Sequence, residues 1–84
     1  MGTELELETT FEMARDVAGE LAWVRRLCRS GQARAIREAH LSQVEAALSV
    51  GVSPAALSRW EAGLRVPQGE AAVRYAALLR SLLA

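Results

Sequence analysis

The chain has 84 residues, 51% apolar, 5% aromatic and 24% charged, which bounds it at one small domain. Ten arginines balance ten acids, but residues 1–20 carry six acids against Arg15, while residues 21–84 carry nine arginines against Glu38, Glu45, Glu61 and Glu70. Sixteen alanines against two prolines and six glycines favour helix over disorder. Charges break every window long enough to span a membrane, no secretory leader is expected, and the single Cys28 excludes an internal disulfide. The expectation is an all-α, cytoplasmic chain whose basic body suits an anionic partner.

Residues 1–10 read as a flexible acidic arm. Leu5 and Leu7 alternate with Glu4, Glu6 and Glu8 at strand spacing, and one short strand is not stable alone. From Thr10 the spacing turns helical. Phe11, Ala14, Val17, Ala18, Leu21, Val24 and Leu27 recur every three or four residues, which predicts an amphipathic helix over 11–29. Thr9 or Thr10 is its candidate cap. Asp16 and Glu20 lie toward its positive end and Arg25, Arg26 and Arg29 near its C-terminus, as the helix dipole favours. Ser30 and Gly31 end it, and Ser30 is the candidate cap of the second helix.

Residues 30–84 divide into four shorter helices. The first, 32–39, places Ala35 and Ile36 inward. Ser42 caps 43–49, with Glu45 completing an S-x-x-E capping box. Ser53 caps the next helix, and Pro54 sits at its first position, where a missing N–H costs nothing. That helix runs to about Ala62 and stops at Gly63. A polar turn over 64–69 leads to a last helix, 70–83, apolar at Val73, Ala76, Ala77, Leu79, Leu82 and Leu83.

The most informative stretch is residues 41–61, LSQVEAALSVGVSPAALSRWE. Two capped helices are joined by Val50, Gly51 and Val52, too short a link for them to lie antiparallel, and a steep crossing about a glycine turn is the geometry of a helix-turn-helix. Gly51 occupies the position where a helix exits through positive φ. Ala47 is small enough for a close crossing, and Val52 and Leu57 point back to the core.

Leu41-Ser42-Gln43, Ala47, Val50-Gly51-Val52-Ser53, Leu57-Ser58, Trp60-Glu61, Gly63 and Pro67, in this order, resemble the Cro/CI (XRE) family of helix-turn-helix DNA-binding proteins over roughly residues 31–83. GEAAVRYAALL, residues 69–79, is similar to the fifth helix of actinobacterial and actinophage members. The resemblance implies an all-α, five-helix, lambda-repressor-like helix-turn-helix domain over 30–84 with an N-terminal helical extension. It implies a recognition helix over 53–62 in the major groove of double-stranded DNA. Carried over by position, Pro54, Ala55, Arg59 and Gln43 match base-facing positions, Gln43 serving base or phosphate. Arg59 leads them, because a guanidinium donates two bonds to guanine. Ser42, Ser53, Ser58 and Arg65 correspond to backbone contacts. Gly51, Ala47, Leu57, Trp60, Arg37 and Glu61 are structural. Family members commonly pair an Arg of the first helix with the Glu matching Glu61, and Arg37 is its counterpart here. Only His40 separates Arg37-Glu38-Ala39 from Leu41, so the intervening turn is one residue short and lacks the usual Gly.

Trp60 is read as core, Trp23 and Tyr75 as packing residues or interface anchors, and Cys28 as a small buried hydrophobe. Arg25, Arg26 and Arg29 fit a second phosphate patch and dipole compensation equally well. No Ser-His-Asp set with supporting glycines, Walker loop or dinucleotide fingerprint occurs, and one His with one Cys makes no structural zinc site. An enzyme, a metal and a cofactor are therefore not expected. The leading expectation is a sequence-specific regulator, either a phage Cro-like or immunity repressor or a small bacterial regulator. It would act as a homodimer near the nucleoid on half-sites about one turn (~34–36 Å) apart. A reading from a different class is an antitoxin or phage protein that captures a protein partner through residues 1–29, with DNA binding auxiliary. A third makes the acidic arm a screen against non-specific DNA.

Overall fold

A computed structural model describes the backbone of residues 3–84 and the side chains from Asp16 onward. The chain folds as α1 (Thr3–Ser30), α2 (Gln32–Glu38), α3 (Gln43–Val50), α4 (Pro54–Glu61) and α5 (Gly69–Leu83). The four shorter helices end within a residue of where capping signals put them. α1 does not: it begins at Thr3, well before the Phe11 start that apolar spacing gives. The strand-like alternation of Leu5 and Leu7 is overridden because a lone strand leaves its backbone groups without partners, whereas a helix already nucleated downstream adds one internal bond per residue. With α1 starting at Thr3, Thr9 and Thr10 fall inside the helix and do not cap it; the side chains of the expected inward positions Phe11 and Ala14 lie outside the described ones.

Local chemistry accounts for the helix ends. Ser42 accepts from the Glu45 N–H at 3.1 Å while the Glu45 carboxylate accepts from the Ser42 N–H at 2.9 Å, closing the capping box. Ser53 accepts from the Ala56 N–H at 3.1 Å, with Pro54 at the first helical position. Gly51 leaves α3 at φ 85°, and its N–H and that of Val52 both donate to the Ala47 carbonyl. The break between α1 and α2 differs from expectation. Gly31 at φ 82°, not Ser30, is the N-cap of α2. The Ser30 hydroxyl donates back to the Leu27 carbonyl at 3.1 Å, and the Gln32 N–H reaches it only at 3.4 Å. A glycine in the left-handed region lets α1 turn directly into α2.

The core is made by the C-terminal half of α1 together with the other four helices. Val24, Leu27 and Cys28 of α1 meet Ala33, Ala46, Ala47, Val50, Leu57, Trp60, Ala72, Tyr75, Ala76 and Leu79. Six of these thirteen residues are alanine or cysteine, so helix backbones approach closely and Trp60 and Tyr75 fill the remaining space. Their ring centroids stand 5.8 Å apart and the planes are tilted by 34°.

Several expected inward positions face out. In α2 the buried residues are Ala33 and Arg37, while Ile36 is half-buried and Ala35 exposed. In α5 Ala72 and Tyr75 are buried and Ala77 and Leu83 are exposed. In α1 Val17 and Ala18 are exposed and Leu21 is half-buried. In α2 and α5 the buried stripe is rotated by about one residue, which apolar spacing alone does not resolve in alanine-rich helices. In α1 the expected face is kept at Val24 and Leu27, and Val17 and Ala18 lie N-terminal to the part of the helix that meets the core. α1 is clasped to α5 at the surface, where Arg80 grips Glu20 through bonds of 2.8 and 3.0 Å and lies 4.0 Å above the Trp23 ring. No helix among the described residues is long and apolar enough to cross a membrane.

Candidate nucleic-acid interface

α3 and α4 meet through the glycine turn, with Ala47 and Leu57 buried between them. Because α4 buries Leu57, Trp60 and Glu61, its leading edge faces outward: Ser53, Pro54, Ala55 and Arg59 are exposed and Ser58 is half-buried. Ala55 and Arg59 lie four residues apart on one helical face. Among the described residues no hydrogen-bond or salt-bridge partner holds the Arg59 guanidinium, so its five donors point into solvent. Ser42 is exposed at the start of α3, and Arg65 is exposed in the loop after α4. That loop folds onto the end of α4 through the Leu64 and Arg65 N–H groups, which donate to the Arg59 carbonyl at 2.9 and 3.3 Å.

Behind this surface lies a buried polar cluster. Arg37 donates through Nε and Nη2 to the two carboxylate oxygens of Glu61 at 2.6 and 2.9 Å, and through Nη1 to the Leu41 carbonyl at 3.0 Å. The shortened turn thus does not part Arg37 from Glu61; the guanidinium bonds the turn itself. The Tyr75 hydroxyl donates to Glu61 at 2.7 Å, and the Gln43 amide Nε2 donates to the same carboxylate at 3.1 Å. Burial alone pushes the Glu61 carboxyl up, but the hydrogen bonds from Arg37, Tyr75 and Gln43 outweigh it and hold the group below its ordinary range. Burial and the adjacent carboxylate push the Tyr75 phenol well above its own. The cluster ties α2, the start of α3, the end of α4 and the middle of α5 to one carboxylate, which fixes α4 relative to Gln43. Gln43 is half-buried, with one amide N–H committed to Glu61 and no other side-chain hydrogen bond among the described residues.

Two contributors escaped the sequence reading. Tyr75 reads as packing, yet its hydroxyl completes the Glu61 shell. Arg74, not singled out, donates through Nε to the Val50 carbonyl at 2.7 Å and so caps the end of α3 from α5. A Tyr or Arg on a polar-apolar helix gives no local sign of a partner 14 or 24 residues away. His40 is exposed and Cys28 buried, and no group of three or more potential metal ligands occurs among the described residues.

Residues 32–82, more than half of the chain, match a helix-turn-helix family model. Comparison with curated proteins and with solved structures gave no match.

Proposed function

Because the chain belongs to the XRE-type helix-turn-helix family of DNA-binding regulators, we propose that it is a sequence-specific transcriptional regulator, a Cro-like or immunity repressor or a small bacterial equivalent, that reads the major groove with residues 53–62. The observation that carries this reading is the outward edge of α4: an uncommitted Arg59 one turn after small, exposed Ala55, on a helix whose opposite side is wholly buried. A bare methyl and a proline ring let the helix approach base edges closely, and the guanidinium then meets guanine O6 and N7. Ser42, Ser53, Ser58 and Arg65 supply backbone contacts that set register, and Gln43 contacts the base or phosphate beside them.

One such module covers few base pairs, so the reading includes a two-fold dimer on half-sites about one helical turn apart. Its face is assigned to the apolar groove between α1 and α5, which is lined by exposed Val17 with Leu21 and Val73. Selection of bound sequences from a random duplex pool tests the function. An enriched half-site repeated at that spacing supports it; no enrichment over the input pool refutes it. The same groove favours a second reading, in which residues 1–29 capture a protein. Val17→Asp separates the two: loss of the dimer together with operator affinity supports the first, whereas an intact dimer with unchanged operator binding leaves α1 for another partner.

A further inference from the structure

The C-terminal end of α1 lies outside the matched residues 32–82 and carries arginines that face the loop after the recognition helix. Arg25, Arg29 and Arg65 line one small cleft, floored by Trp60 and Gly63 at the end of α4, and no carboxylate lines it. Arg25 is anchored there: its Nε donates to the Pro67 carbonyl at 2.9 Å, 42 residues away. Arg29 and Arg65 are exposed. Arg65 also borders the neighbouring cleft, which is lined by Ala56 and Trp60 of α4. Arg65, on the loop whose N–H groups bond the Arg59 carbonyl, therefore shares one cleft with Arg29 and Arg25 of α1.

We infer that this cleft is a second backbone clamp, in which Arg25, Arg29 and Arg65 hold phosphates of the same duplex that α4 reads. The inference rests on the DNA-reading function proposed above and extends it to a helix outside the family match. Three arginines lining one recess without an acid concentrate positive potential there. Planar guanidinium groups match phosphate oxygens in charge and in geometry. Dipole compensation accounts for positive charge near the end of α1, but not for an arginine tied to the Pro67 carbonyl nor for the convergence of Arg65 from another element. Arg26, next to Arg25, is exposed but does not line the cleft, so it provides a control of equal charge.

The test measures binding of the full chain to a random-sequence duplex by fluorescence anisotropy, over salt from about 50 to 200 mM. Each lost phosphate contact lowers the slope of log affinity against log salt by about 0.9. Arg29→Ala and Arg65→Ala are each expected to lower it by that amount, so that the variant loses roughly three- to fourfold less affinity than wild type across that salt range. Both weaken binding to all sequences alike and leave the selected half-site unchanged. Arg26→Ala changes the slope by less than half as much. A wild-type slope in Arg29→Ala, or an equal drop in Arg26→Ala, overturns the clamp while the regulator reading stands. A wild-type chain that binds no duplex at all overturns both.

Discussion

Replacing Arg37 with Met removes three hydrogen bonds at once and leaves Glu61 buried, with its side chain 1% exposed and only Tyr75 and Gln43 as donors. Breaking a buried pair by deleting one member costs about 3–5 kcal/mol, because the remaining charge is desolvated without compensation. Domains of this size are stable by roughly 0.05–0.15 kcal/mol per residue, or about 4–13 kcal/mol for 84 residues. The variant is therefore expected to lose a large share of its stability, seen as a fall in thermal midpoint of more than about 12 °C. The pH dependence separates this mechanism from a simple packing defect. In the wild type the Glu61 carboxyl is held below its ordinary value. It thus contributes stability above about pH 4.3, lost as pH falls through its folded value. Without Arg37, burial, the largest single influence on Glu61, is opposed only by two neutral donors, and the carboxyl is expected to move above its ordinary value. Its contribution is then present at low pH and lost as pH rises. Circular-dichroism melts between pH 4 and 7 should show the midpoint falling with pH in Arg37→Met. Removing the stranded groups as well, in Arg37→Met, Glu61→Leu and Tyr75→Phe together, should recover at least about 2 kcal/mol. A loss below about 1 kcal/mol in the single variant, or a wild-type pH profile, would refute the argument.

Arg59→Ala should leave the thermal midpoint unchanged, because the side chain is exposed, and should flatten preference at one base of the half-site by roughly 1–3 kcal/mol; single-base operator variants in a mobility-shift assay measure this. Gly51→Ala should destabilise by more than about 1 kcal/mol, since φ 85° is strained for any side chain. The new Cβ itself meets only ordinary contact, 3.5 Å from Arg74 Nη2, so the backbone strain alone should appear as a loss in chemical denaturation while Gly19→Ala, an ordinary helical position with nothing within 4 Å, shows none. Cys28 is 3% exposed, and burial together with the Glu61 charge pushes its thiol up to about 12. Iodoacetamide at pH 8 should therefore label it only at the rate of unfolding; labelling of the native chain at the rate of a free thiol would show that the α1–α2 junction opens.

The residues that punctuate helices were legible because their effects are local. Ser42 with Glu45, Ser53 with Pro54, and Gly51 each act on backbone groups within a few positions, and spacing alone located them to a residue. The helix-turn-helix follows from that punctuation, and so does the outward edge of α4, since Leu57 and Trp60 define its buried side. What the linear order concealed depends on contacts made only when distant helices meet. Arg37 and Ala33, not Ala35, face inward because Glu61 waits on the other side of α2, and Tyr75 becomes a hydrogen-bond donor for the same carboxylate. Arg25 acquires its place from the Pro67 carbonyl and Arg74 from the end of α3. α1 reaches back to Thr3 because backbone pairing, unlike the Leu5 and Leu7 alternation, needs no second strand. Local capping is decided by neighbours in the chain and can be read from their order. A buried charge is decided by partners 14 to 24 residues away, and only the folded packing brings them within bonding distance.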